Sequence, residues 1–498
     1  MTGSMQTRRL HDMLIENLAA APGRPVLRVL PGDRRLDLAG FRRRLAGAER
    51  DLLRIFKTGG PPPGGIVLLS ARNLDSYLVA IATLWKLGLV PLLADADLSR
   101  PEIADLVRTF RPAACLLDRA ADPPNGRREA AGEALSGLHA WLPSRRATRN
   151  LAAAPAGAAI LRLTSGTTSR PRGLLVTVDQ LLADSRNICS TMGIAPDDTL
   201  VAAIPLGHAY GFVHLLMSLV TQGTRPLLLE HPLPALLHEA LSGPGPIVYP
   251  GTPYLHELLL QGAPGKRYRG LRLVFSAGAP LAERLGRAFK TRFGLPIRTF
   301  YGASECGGIS YDRSASGILP DGCVGRPLDG VGVTLQTLPG HEEGEGRVCV
   351  RSAAVVAGSY PETAGEEFRP GFFMTSDLGR FDARGDLHLT GRLDRIVNVG
   401  GRKVNPIEVE RVMRALPGVR EAAVFGTPDR HRGQALCACV VAAGRMTRET
   451  LLAACRERLA PFKIPRRIEF VDAMPVTARG KTDRRALARL AGGAPAAP

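Results

Sequence analysis

The sequence predicts a layered α/β protein, with a large multi-sheet N-terminal domain and a small α+β C-terminal domain. Three observations carry this expectation. The chain has 498 residues, beyond the size at which a single hydrophobic core stops growing, so at least two domains are expected. Apolar runs of strand length alternate with helix-length segments over the first two thirds, the pattern of parallel βαβ units. After Gly330 the strand candidates become shorter and are separated by turns.

Taken in order, a short amphipathic start precedes Ile66–Ser70 (IVLLS), which reads as a strand. Leu74–Leu87 reads as a helix ended by Gly88, and Leu89–Leu93 as the next strand. Further strands are expected at Ala158–Leu163, Leu200–Ile204, Arg225–Leu229, Leu271–Ser276 and Ile297–Tyr301. Beyond Gly330 come strand candidates at Gly346–Arg351 and Asp386–Thr390. A compact unit follows, with helices at Pro406–Ala415 and Arg448–Leu459 and strands at Val419–Gly426 and Ala435–Val441. The expected domains are therefore residues 1–393 and 394–490, with a disordered tail at 491–498 (AGGAPAAP).

Composition narrows the function classes. Lys plus Arg number 65 against 46 Asp plus Glu, a net charge of +19. The excess is arginine scattered from Arg8 to Arg489, without the clustered basic and aromatic residues of a base-stacking surface, so no nucleic-acid partner is expected. An anionic small molecule or an acidic carrier protein would use the same field. The 8 cysteines include no CxxC pair, which argues against a zinc site or disulfide framework and for a reducing cytoplasm. The start MTGSMQTRRLHDMLIENLA has no signal-peptide core, and no run is long enough for a membrane span. A cytoplasmic protein, monomeric or homodimeric, is expected.

The strongest local signal is TSGTTSRPRG, Thr164–Gly173, directly after an apolar strand. Hydroxyls and backbone amides around Gly166, with Arg172 nearby, supply short donors and positive charge that can wrap a polyphosphate. The segment lacks the GxxxxGK[ST] pattern of a Walker loop. In isolation, a solvent-exposed Ser/Thr/Gly linker explains it as well.

With its neighbours, this segment resembles the phosphate loop TSGTTGxPKG of the acyl-adenylate-forming enzymes: acyl-CoA synthetases, aryl-CoA ligases, firefly luciferase and adenylation domains. Ser169 replaces a glycine and Arg172 the usual lysine. The resemblance continues in family order through the chain. It implies that Thr164, Ser165, Gly166, Thr167, Thr168 and Arg172 hold phosphates. PLGHAYG (Pro205–Gly211) is similar to the segment with a histidine at the acyl pocket, here His208, followed by Ala209, Tyr210 and Phe212. SAGAP places Gly278, Ala279 and Pro280 beside adenine. YGASE resembles YGxTE, which implies that Tyr301 and Gly302 meet adenine and the acyl group, Ser304 the phosphate and Glu305 magnesium. TSDLG gives Asp377 the ribose hydroxyls. GRLDRIVNVGGRKVNPIEVE is similar to the family hinge: Arg392 faces ribose or phosphate, Asp394 is the pivot, Gly400 and Gly401 approach the thiol channel, and Lys403 is a polar contact. PVTARGKTDRRAL makes Lys481 the mobile catalytic lysine.

The resemblance implies ATP and Mg2+ as cofactors, and a small mobile lid that rotates about Asp394, withdraws Lys481 and admits a thiol. Adenylation domains for α-amino acids carry an aspartate at the position of Ala209, so the expected acid lacks an α-amino group and is aryl or a medium- to long-chain fatty acid. The acceptor is coenzyme A or, as the alternative, the phosphopantetheine of an acidic acyl or aryl carrier protein. Departures at Ser169, Arg172, Ser304 and Ser376 leave a third reading, an inactive nucleotide-binding homologue.

Overall fold

The structure, a computed structural model, describes residues 3–56, 64–118, 126–143, 152–164, 171–261, 268–338, 343–361, 365, 367–393, 397–404, 406–442, 446–475 and 486–487. Among them, two large sheets and a third, smaller one carry the fold. The expected strand Ile66–Ser70 is buried along its whole length and pairs in parallel with Val90–Ala94 and Ala114–Leu117. Val90–Ala94 in turn pairs with Ala158–Thr164. Near-continuous apolar runs such as IVLLS fit such strands because both faces are covered by helices or by the other sheet. Ala158–Thr164 pairs antiparallel with Arg172–Thr177, Thr164 lying opposite Arg172, and Gly358–Tyr360 forms the edge beyond.

The second sheet has a parallel half, Leu27–Leu30, Arg225–Leu229, Thr199–Ala202, Ile247–Gly251, Leu271–Ser276 and Ile297–Ala303, in that spatial order. It continues as an antiparallel half from Gly307–Tyr311 to Val331–Thr337, in which Cys323–Pro327 pairs with the much later Leu387–Arg392. One hydrophobic core joins both sheets, taking Leu69 and Leu93 from the first and Phe275 and Phe300 from the second. The helix Val178–Met192 lies in it. A capping box fixes its start, with the Thr177 hydroxyl accepting from the Gln180 N–H and the Thr177 N–H donating to the Gln180 side chain, and Gly193 at φ 62 ends it.

The third sheet, with Val397–Val399, Arg402–Val404, Val419–Asp429, Gly433–Ala442 and Arg467–Phe470, packs with the helices Pro406–Arg414 and Arg448–Arg458 around a separate core. The architecture is thus a large N-terminal α/β domain with several sheets and a smaller C-terminal α+β domain. The short amphipathic start is longer than expected. It forms two helices, Gly3–Ala19 and Leu38–Phe56, the second burying Phe41, Leu45, Ala48, Leu52 and Ile55 at helical spacing. Among the described residues, no helix is long and apolar enough to cross a membrane.

Candidate active site

A cleft of ≈ 670 Å³ opens where the ends of the strands Ala158–Thr164 and Ile297–Ala303 meet the C-terminal hairpin Val397–Val404. Ligand sites in open α/β sheets lie outside the carboxyl ends of the strands, and both strands end here. The cleft brings together Arg172, His208, Ala209, Tyr210, Gly278, Gly302, Ser304, Glu305, Asp377, Gly401 and Lys403, residues spread over more than two hundred positions of sequence. Ser165, Gly166, Thr167 and Thr168, the pivot Asp394 and the catalytic candidate Lys481 lie outside the described residues. So do the side chains of Thr164 and Arg392, although the Arg392 backbone pairs with Asp377.

Two glycines allow backbone segments to approach closely at the cleft wall. A Cβ on Gly302 would stand 2.7 Å from the Gly307 carbonyl oxygen. Gly278 has φ +84, which disfavours any side chain, and a Cβ there would lie 3.1 Å from Gly401 Cα. Ala279 and Pro280 continue this turn without lining the cleft. Tyr301 packs against the core, and its hydroxyl donates to the Asp377 carboxylate at 2.5 Å. The Thr375 hydroxyl accepts from the Asp377 N–H at 3.0 Å. Such a carboxylate can accept from two hydroxyls. Among the described residues no three ligating side chains cluster as a metal cage. Glu305 is a half-buried carboxylate on the cleft wall. This suits Mg2+, which is commonly held by one or two carboxylates together with substrate phosphates and water.

Opposite, His208 Nε2 lies 3.0 Å from Asp95 Oδ2. Arg402 of the C-terminal hairpin reaches the same group: its Nη1 is 2.9 Å from Asp97 and 3.6 Å from Asp95, and its guanidinium lies over the Phe462 ring at 4.7 Å. Burial opposes the charge on Asp95, but His208, Arg402 and the Asp97 N–H outweigh it and hold the carboxyl well below the usual range. The C-terminal domain is fastened further by Asn398 of the hairpin, which donates to the Gly278 carbonyl, and by Lys463, whose ammonium lies 2.6 Å from Glu102 and 2.9 Å from Glu408. Sequence reading did not single out Asp95, Arg402 or Lys463. Asp95 and Lys463 lie outside the quoted motifs, Arg402 stands inside one but was given no role, and partners such as Asp95 and Arg402 are hundreds of residues apart.

The inner end of the cleft corrects one expectation. Phe212 does not line it: the ring is 0% exposed and packs edge-on to Trp85 at 6.3 Å. The helix is widened to π geometry over Phe212–Met217, which rotates Val213 and His214 toward the cleft and Phe212 into the core. His214 Nδ1 lies 3.0 Å from the Tyr210 carbonyl oxygen, and burial pushes its pKa down to about 4. Ile188 and Asp184 reach this end from the helix Val178–Met192, and Arg162 from the strand Ala158–Thr164. Asp184 Oδ1 accepts from the Gly308 N–H at 2.9 Å. Gly307, at φ +74, leaves Asp184 its place, since a Cβ there would lie 2.3 Å from Asp184 Oδ1.

Comparison with known proteins agrees with this fold. Residues 54–360 match the AMP-binding enzyme family and residues 408–481 the AMP-binding enzyme C-terminal domain. An oxalate–CoA ligase of Arabidopsis thaliana is 33% identical over 356 residues, 67% of this chain and 68% of that protein. A 2-succinylbenzoate–CoA ligase of Bacillus cytotoxicus is 27% identical over 435 residues, 86% of this chain and 89% of that one. Among solved structures, the amide bond synthetase McbA from Marinactinospora thermotolerans superposes with a TM-score of 0.80 at 26% identity, over 96% of this chain and 99% of that one. The chain belongs to the AMP-binding enzymes, the acyl-adenylate-forming superfamily of acyl-CoA and aryl-CoA ligase type.

Proposed function

We propose that the protein activates a carboxylic acid lacking an α-amino group as an acyl-adenylate, releases pyrophosphate, and transfers the acyl group to the thiol of coenzyme A. The observation that carries this reading is the convergence of Arg172, His208, Ser304, Glu305 and Asp377 on one cleft with the hairpin bearing Gly401 and Lys403. A carboxylate is ionised at neutral pH and needs no base to attack. The obstacle is the approach of one anion to another. In this reading Arg172 and Lys481 offset the charge that develops on the phosphates. Asp377 holds the ribose, and His208, oriented by Asp95, faces the acyl group. Glu305 would hold Mg2+, which supplies charge neutralisation on the phosphate oxygens.

Coenzyme A is favoured as acceptor by the relatives named as CoA ligases. A phosphopantetheinyl carrier protein would present the same thiol, and the likeness to an amide bond synthetase favours testing an amine as well. The experiment supplies ATP, Mg2+, a panel of aryl and aliphatic acids, and in separate arms coenzyme A, a loaded-ready carrier protein and a primary amine. AMP and an acyl-CoA of the expected mass support the proposal. A thioester on the carrier or an amide in place of acyl-CoA overturns the acceptor, and absence of AMP in every arm overturns the activity.

A further inference from the structure

Arg162 is a charged residue in an otherwise apolar strand, AAILRLT, and its side chain is 4% exposed. Its Nη1 donates to the Ser304 carbonyl oxygen at 3.2 Å. Nε and Nη2 have no hydrogen-bond partner among the described residues, although the side chain lines the cleft. Leaving donors of a buried guanidinium unanswered is costly, because burial removes the water that would satisfy them. Burial lowers the pKa of the group, and Asp184 and Glu305 pull against that shift without closing the hydrogen-bond deficit. One Asp184 oxygen is already committed to the Gly308 N–H.

The surroundings show what would answer these donors. Arg162 lines the cleft together with Ile188, Val213, His214, Phe300, Gly307 and Gly308, and with the acids Asp184 and Glu305, whose charges act on it. With Nδ1 turned to the Tyr210 carbonyl, the neutral His214 ring leaves Nε2 as a second buried polar atom without a partner. A plain hydrocarbon tail would fill the volume and leave both groups unsatisfied. An anionic oxygen pair matches the planar fork of a guanidinium.

We propose that Arg162 binds a second carboxylate of the acid, so that the substrate is a dicarboxylic acid whose far end reaches the inner cleft. This inference rests on the acid-activating reading above and narrows it. It disfavours simple fatty acids, because a methyl end cannot compensate the guanidinium.

Acid-dependent AMP formation is measured for matched pairs that differ in one carboxylate, such as pentanoate against glutarate and benzoate against terephthalate. The native enzyme is expected to favour the diacid of its best pair by roughly 30-fold or more in kcat/KM. Arg162→Met is expected to lower diacid use by roughly 10²-fold, bring the pair close to parity and leave the KM for ATP within about threefold, with partial recovery in Arg162→Lys. A preference of the native enzyme for the monoacid of every pair overturns the inference, and this arm needs no variant to fold. Equal loss on both members of a pair, or a raised KM for ATP, also overturns it and assigns Arg162 to the reacting carboxylate or the phosphates. If neither class of acid yields AMP, it is the acid-activating reading that fails.

Discussion

Burial raises the Asp184 carboxyl to about 6, against the opposing pull of the Gly308 N–H and of Arg162. An aspartate in the unfolded chain titrates near 4. The folded protein therefore binds this proton more tightly, and the resulting stability is complete below about pH 4 and lost as the pH climbs through about 6. Asp184→Asn keeps an oxygen for the Gly308 N–H and removes the ionisation. It is expected to stabilise the protein by on the order of 2 kcal/mol near pH 7.5 and by little near pH 4, read by denaturant unfolding at the two pH values. A second residue-scale expectation concerns Asp377, whose carboxylate is shared with the Tyr301 hydroxyl. Asp377→Ala should raise the KM for ATP by roughly tenfold or more while leaving the Mg2+ requirement of the remaining activity unchanged. A shifted metal requirement with ATP affinity intact would move Asp377 to the metal site. Residues carried by contiguous motifs, such as Ser304, Glu305 and Asp377, were legible in the sequence. Arg162 and Asp184 were not: Arg162 is one charged letter inside a mostly apolar strand, Asp184 one of several polar letters in the helix Val178–Met192, and Arg162 meets Ser304 only through the tertiary fold.

At the scale of elements, the hairpin Val397–Val404 and the turn carrying Asp95 and Asp97 form one electrostatic contact through Arg402. If this docked arrangement serves thiol delivery, its loss should fall on the second half-reaction. Arg402→Ala is expected to slow thioester formation from presynthesised acyl-adenylate by about tenfold and to change acid-dependent pyrophosphate exchange by less than about threefold, in stopped single-turnover assays of each step. Equal effects on both steps would make Arg402 a general support of the site. The parallel strands were readable from their apolar runs, and Arg225–Leu229 and Leu271–Ser276 fall at the expected bounds. The first 56 residues were under-read because the amphipathic helix Leu38–Phe56 carries arginines and small residues between its buried positions. Strand order could not be read at all. It places Leu27–Leu30 beside Arg225–Leu229, a pairing that local pattern does not encode.

For the whole molecule, the C-terminal domain has a core of its own, and among the described residues its fastenings to the large domain include polar contacts such as Asn398 to Gly278 and Lys463 to Glu102. Inter-domain contacts of this polar kind permit relative motion. Lys481, outside the described residues, is assigned to the first step by its motif alone, so Lys481→Ala should reduce acyl-adenylate formation by roughly 10²-fold and spare thioester formation from supplied adenylate. The most direct measurement is acid-dependent exchange of labelled pyrophosphate into ATP, with mono- and dicarboxylic acids, in the native protein and in Glu305→Gln. The account predicts exchange that requires both an acid and Mg2+, and a fall of roughly 10²-fold or more in the variant at an unchanged thermal transition. No exchange with any acid, or exchange undiminished by Glu305→Gln, would contradict it.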